Sequence, residues 1–171
     1  LTAQSQNILE AKIFIRKDGI IIISANIEET EKETAGNLEI WKNLKQNLSA
    51  IFEGHENLSN LLAQRTRYIS ENKITATITP KVKVDNASDP SFSIVRVEAS
   101  DHLGMLYKIS KVFSELDIRI HSAKVSTQGG RGIDVFYVSH QNKKILFEKL
   151  VRRTKEKVIS AMMVKNPEEL G

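Results

Sequence analysis

The sequence predicts an α+β protein of two small related units. Three observations lead there. Short β-branched runs alternate with segments whose apolar residues recur every three or four positions. The runs come in pairs joined by glycine turns. From residue 92 onward the elements fall in the order strand, helix, strand, strand, helix.

Asn7 to Phe14 is rich in β-branched and aliphatic residues and reads as a strand. Arg16-Lys17-Asp18-Gly19 is a turn signal, and Ile20 to Ile27 is the second strand of a hairpin. The acidic stretch Glu28 to Thr34 reads as a loop. Leu38, Trp41, Leu44, Leu48, Ile51 and Phe52 keep helical spacing, with Gly54 as the stop. Residues 55 to 73 carry a diluted pattern, with Leu58, Leu61 and Leu62 allowing more helix. Ile74 to Ile78 and Val82 to Val84 look extended on either side of Pro80. Asn86 to Pro90 is turn-rich. It suggests a division into residues 1–86, a partial first domain with its linker, and 87–171, a second domain.

In the second unit Phe92 to Val97 is a strand. Gly104 to Leu116 is a helix striped by Met105, Ile109, Val112 and Leu116. Ile118 to Val125 and Ile133 to Val138 are strands around the turn Gln128 to Gly132. Lys144 to Met162 reads as a second amphipathic helix, carrying Ile145, Leu146, Leu150, Val151, Val158 and Met162. One more strand, at Met163 to Lys165, would complete the βαββαβ order of a ferredoxin-like sandwich.

The two hairpins resemble each other. "NILEAKIFIRKDGIIII" sets Ala11-Lys12-Ile13 where "RIHSAKVSTQGGRGIDV" sets Ala123-Lys124-Val125. Each leads through a second strand into an amphipathic helix. On that alignment the first copy starts at its second strand, and its first strand and helix are expected upstream of Leu1. Half a sandwich leaves a sheet edge and a helix face for other chain segments, or a partner, to cover.

Composition narrows the function classes. The 171 residues carry a formal charge of +4 and no cysteine. A disulfide framework and a cysteine-ligated metal are therefore excluded. The absence of cysteine suits the cytoplasm. No apolar run is long enough for a bilayer-spanning helix, so no membrane is expected. The densest basic patch, Arg152-Arg153 with Lys155 and Lys157, sits among acids on a helix-like segment and reads as a solvated face, so no nucleic-acid partner is expected. His55, His102, His121 and His140 lack metal-ligand spacing. His121 has no acid or nucleophile in pattern beside it. Asp134 lies inside a strand and reads as structural. "QGGRG" joins two strands, so it lacks the context of a phosphate loop. No cofactor, metal or catalytic residue is expected.

The stretch "ASDHLGMLYKISKVF" places a glycine at the mouth of a helix directly after a strand. Two readings stand. It can be a compact turn with Asp101 as an N-cap or a neighbour of it. It can also be an anion site, because free amides at a helix start favour a carboxylate and glycine allows close approach.

"VRVEASDHLGMLYKISKVFSELDIRIHSAKVSTQGGRGIDVFYV" resembles an ACT domain, a small ligand-sensing module. "IHSAKVST", "IDVFYV" and "VKVDNASD" are similar to the tandem ACT region of bifunctional PII uridylyltransferase/uridylyl-removing enzymes. "NILEAKIF" with "RKDG" resembles the corresponding hairpin of that region's first copy. Two positions depart from the family pattern: Leu103 stands where proline usually precedes Gly104, and Arg119 stands where Asp or Asn usually opens the second copy's second strand.

The resemblance implies a regulatory region that binds an amino acid, glutamine in particular, and controls upstream catalytic domains. It implies a homo-oligomer and no activity in this stretch itself. It also implies ligand-binding positions: the loop Asp101, His102, Leu103, Gly104, Met105 and Leu106 from the second copy, with Asn7, Ile8 and Leu9 from the first. Arg119, Ile120 and His121 are the corresponding strand positions of a second half-site, which needs a loop upstream of Leu1. Two other readings are an ACT pair that only assembles subunits, and the regulatory tail of another enzyme of amino-acid or nucleotide metabolism.

Overall fold

A computed structural model describes residues 8–16, 18–27, 38–57, 60, 78–101, 104–128 and 130–163. The first β-branched runs form β1 (Ile8–Ile15) and β2 (Ile21–Ile27), paired antiparallel with Ile15 opposite Ile21. The next amphipathic segment forms α1 (Leu38–Phe52). Gly54 ends it at φ +75°, where the Gly54 N–H reaches the Ile51 carbonyl and the His55 N–H that of Ala50. Of the next stretch, residues 58, 59 and 61–77 lie outside the described residues, and with them the expected extended segment Ile74 to Thr77.

The second unit contains β3 (Lys81–Asp85), β4 (Ser93–Ser100), α2 (Met105–Glu115), β5 (Ile118–Gln128), β6 (Arg131–His140) and α3 (Glu148–Met163). All six strands form one antiparallel sheet in the order β2-β1-β5-β6-β4-β3. Alternation along β4 and β6 puts Val95, Val97, Phe136 and Val138 on one face, each fully buried. Ile109, Val112 and Phe113 of α2 and Val158, Ala161 and Met162 of α3 complete that core. Phe113 and Phe136 meet edge to face, ring centroids 5.2 Å apart, at its centre.

The motif "VKVDNASD" does structural work in this unit. The Asp85 carboxylate accepts the N–H groups of Ala87 and Ser88, and Asp89 accepts those of Ser91 and Phe92. Together they fold the turn that lays β3 along β4, from Lys81 opposite Glu98 to Asp85 opposite Ile94. The 86/87 division expected from composition falls within this turn.

Two boundaries differ from the sequence pattern. Lys144 to Phe147 are not helical, and α3 starts at Glu148. The cause is a long-range polar clamp. The Ile145 N–H donates to the Ser93 hydroxyl, Asn86 donates to the Ile145 carbonyl, and the Lys144 ammonium donates to the Asn86 carbonyl. Ile145 is buried as its place in the stripe predicts, though from an extended segment. The expected strand at Met163 to Lys165 also gives way at its start, since Met163 is the last residue of α3; residues 164 and 165 lie outside the described residues. The edge place beside β4, which such a strand would fill in a ferredoxin-like sheet, is held by β3.

The internal repeat has a geometric counterpart. β1 pairs with β5, with Ala11 opposite Val125, Lys12 opposite Lys124 and Ile13 opposite Ala123. These are the same residues that align between the two hairpins. Because Lys12 faces its own equivalent, a local two-fold axis passes through the Lys12–Lys124 pair. β1-β2-α1 thus corresponds to β5-β6-α3. β6 is covered by β4 on its outer side, whereas β2 forms an outer edge of the sheet. Its residues Ile21, Ile22 and Ile23 are 51–59% exposed on both faces. On α1, Trp41, Leu48 and Phe52 of the apolar stripe are exposed as well.

Candidate ligand-binding site

The start of α2 is built as an open helix end. Gly104 is its N-cap at φ +83° and ψ +4°, with no side chain capping the first turn and no acid in it. The Gly104 carbonyl accepts the first helical hydrogen bond, from Lys108 N–H, at 3.0 Å. The amides of the first turn have no acceptor within the helix, and the peptide dipoles add partial positive charge there. Among the described residues, a Cβ on Gly104 would meet nothing within 4 Å. Glycine suits the left-handed φ at this position.

Asp101 is not the cap. Its N–H donates to the Gly130 carbonyl at 2.8 Å, tying the end of β4 to the β5–β6 turn. Met105, the first residue of α2, is buried, and its Sδ would lie 2.8 Å from a Cβ on Gly132. Met105 therefore seats the helix start on β6 through Gly132. Leu106 packs against the same core, partly buried. His102, Leu103 and Asn7 lie outside the described residues.

Sheet order decides which of the expected positions meet. The start of β1, the end of β5, the start of β6 and the end of β4 all lie at one end of the sheet. Glu10 is opposite Ser126, Thr127 is opposite Gly132, and Ala99 is opposite Gly132 from the other side. Ile8 and Leu9 are therefore at the same end as the Asp101–Gly104 loop. Arg119, Ile120 and His121 begin β5 and lie at the opposite end, where Arg119 is opposite Ser139. A register shift between Ile120 and Ser122 re-aims His121. Its ring stacks on Phe92 at 4.4 Å, and its Nε2 is 2.8 Å from the Ser139 hydroxyl. Partial burial, with the charge of Arg119, holds the His121 imidazole below its ordinary pKa and so keeps it neutral.

Asp134, which the sequence reads as a structural strand residue, is buried more deeply than its type suggests. It lies on the helix-facing side of β6, one pleat from Gly132, and is 2% exposed. Its carboxylate accepts the Ser126 N–H of β5. Burial, helped by the nearby charge of Asp101, pushes it up to about 7 despite that hydrogen bond. Among the described residues no lysine or arginine forms an ion pair with it. Strand alternation in "GIDVFYV" places Asp134 in phase with buried Phe136, and that was the available signal.

Among the described residues there is no group of three potential metal ligands, and no helix is long and apolar enough to cross a membrane.

The Gly104 site is tolerant of volume and intolerant of backbone change. Gly104→Ala should cost about 1–2 kcal/mol through φ alone, with no clash to relieve. Urea unfolding of the two proteins measures it. An alanine variant as stable as the wild type would mean that the left-handed N-cap is not required.

A helix start opening on the end of an antiparallel sheet, with a second unit joined edge to edge by a local two-fold, defines a ferredoxin-like α+β module of paired halves. Residues 81–166 match the family described as "ACR9-like, ACT-like domain", and the chain belongs to this ACT-like family. Its curated relatives include proteins named bifunctional uridylyltransferase/uridylyl-removing enzyme. That of Bradyrhizobium sp. (strain ORS 278) is 31% identical over 78% of this chain and 14% of its own length. That of Rhodospirillum rubrum is 28% identical over 87% of this chain and 16% of its own. That of Rhodopseudomonas palustris is 30% identical over 78% and 14%. The chain thus spans about one-seventh of the length of these relatives. No solved structure matches it.

Proposed function

We propose that the chain is the amino-acid-sensing regulatory region of a uridylyltransferase/uridylyl-removing enzyme, that its ligand is glutamine, and that it acts on catalytic domains elsewhere in the parent protein. The observation that carries this reading is the β1–β5 pairing. It brings the start of one copy's strand to the same sheet end as the uncapped helix start of the other. A zwitterion seated there would contact both copies at once. Its carboxylate would take the first-turn amides of α2, and strand carbonyls would help to hold its other groups. Binding across the joint then favours one arrangement of the copies, which is the requirement for passing a signal to an attached domain. A micromolar to millimolar sensor needs about 4–8 kcal/mol in all, more than one helix end supplies, so contacts from both copies must add.

L-Glutamine titrated into the chain by calorimetry should give saturable heat with a Kd between roughly 1 μM and 1 mM. An absence of heat with glutamine and with every other proteinogenic amino acid would overturn the sensing reading.

A second reading has its own support in the bare β2 edge. Exposed Ile21 to Ile23 on a strand paired on one side only among the described residues suit strand addition between subunits. On that account the ACT pair assembles oligomers without a ligand.

A further inference from the structure

We propose that the outer face of the sheet, turned away from α2 and α3, docks an acidic amphipathic helix of a protein partner. The inference goes beyond the sensing reading and stands independently of it.

Strand register builds this face from two parallel stripes. In the first, Lys83 is opposite Arg96, Arg96 is opposite Val135, Val135 is opposite Lys124 and Lys124 is opposite Lys12. Four cations thus share one row across five strands. In the second, Ile94 is opposite Tyr137, Tyr137 is opposite Ser122, Ser122 is opposite Phe14 and Phe14 is opposite Ile22. That row is apolar apart from Ser122 and the Tyr137 hydroxyl. Phe14 is 53% exposed and Ile22 51%. The two rows are two residues apart along each strand, about 7 Å.

A face built only for water would set opposite charges across from each other. Here like charges stand directly opposite twice, Lys12 with Lys124 and Lys83 with Arg96, an arrangement that weakens a sheet. Glu10 pairs with Lys124 at 3.6 Å and Glu98 with Arg96 at 2.9 Å, so an acid relieves one member of each pair. The row keeps an excess of positive charge, which an anionic partner would neutralise. The stripe beside it is a contiguous run of apolar side chains on an open face. It carries the aromatic residues that protein interfaces favour.

An acidic helix meets both stripes. The apolar row spans four strand spacings, roughly 19 Å, the length of about 13 helical residues. A helix laid along it would set its apolar stripe on Phe14 and Tyr137 and a flank of Glu or Asp over Lys12 and Lys124. A helix layer on the second face of a sheet is an ordinary packing solution. Single-stranded nucleic acid suits the face less well. Ile22 and Ile94 offer no ring on which a base could stack, and Glu10 and Glu98 border the cations on their far side. The sequence hides the cationic row, because β1, β3, β4 and β5 each contribute one member to it.

The test is fluorescence anisotropy with a labelled peptide of about 14 residues, stapled to hold it helical, with a leucine stripe flanked by glutamates. The same peptide with lysine for glutamate and a thymidine oligonucleotide serve as parallel probes. The acidic peptide should bind with a Kd between roughly 1 and 100 μM. Its affinity should fall at least fivefold between 50 and 500 mM salt. The lysine peptide and the oligonucleotide should bind at least tenfold more weakly. Lys12→Glu should weaken the acidic peptide at least tenfold and yet unfold in urea no earlier than the wild type, because it turns a like-charge pair into an ion pair with Lys124. Phe14→Ser, at an exposed position, should weaken it at least fivefold and provides a second variant. Equal binding of the acidic and lysine peptides, no binding of the acidic peptide up to 1 mM, or unchanged affinity in both variants overturns the proposal. Binding of the oligonucleotide in preference to the acidic peptide also overturns it and gives the face to nucleic acid.

Discussion

Phe136→Ala is expected to cost about 3–5 kcal/mol, a large share of the roughly 5–15 kcal/mol that holds a domain folded. Phe136 is fully buried on β6 and stands edge to face with Phe113 of α2, so the truncation opens a cavity in the layer that joins sheet to helix. Because α2 also carries the Gly104 end, the same variant should lose ligand affinity at temperatures where it remains folded. Urea unfolding at 25 °C measures the first effect. A loss below about 1 kcal/mol would mean that the core relaxes around the gap and that the α2–β6 contact is looser than described here.

The second large effect is a dependence of stability on pH. Asp134 titrates at about 7 in the folded protein and near 3.8 when unfolded. Below pH 4 both states hold the proton and the group is neutral in its effect. Between pH 4 and 7 the unfolded chain gives up its proton while the folded chain retains it, so stability falls as pH rises across that window. Above 7 the loss is complete and stays constant. A displacement of this size corresponds to at most roughly 4.5 kcal/mol, at about 1.4 kcal/mol per pH unit. Asp134→Asn keeps an oxygen for the Ser126 N–H and removes the charge. It should flatten the profile and be more stable than the wild type at pH 8. Urea midpoints at pH 4.5 and pH 8 for both proteins provide the check; an unchanged pH dependence in the variant would place the responsible group elsewhere.

The residues that declared themselves in sequence did so through local chemistry. β1 and β2 follow from β-branched runs around Asp18-Gly19, and α2 from its apolar stripe behind Gly104. The repeat was visible in Ala11-Lys12 and Ala123-Lys124, and these residues proved to be the ones that pair. What escaped depended on contacts distant along the chain. Lys144 to Phe147 look helical until Ser93 and Asn86 hold Ile145 extended. The edge beside β4 was expected from a strand after the last helix, and β3, which precedes β4, occupies it because Asp85 and Asp89 fold the turn between them. Asp134 reads in sequence only as a structural strand residue, because its burial depends on α2 lying over Gly132 and its hydrogen bond on a neighbouring strand. The glycine at the start of α2 was legible in the sequence, and the depth of Asp134 was not.

The uncovered first copy follows from the same symmetry. On the second unit, β4 and α2 shield the outer side of β6 and the face of the sheet. On the first, Ile21 and Ile23 stand exposed on the corresponding face.

The most direct measurement is a ¹H–¹⁵N correlation spectrum of the chain titrated with L-glutamine. If the joint between the copies is the site, amide signals of Gly104 to Tyr107 and of Ile8 to Glu10 should move together with one shared dissociation constant, while those of Arg119 to His121 stay in place. Binding that shifts only one of the first two groups, or only the Arg119 end, would contradict a site made by both copies.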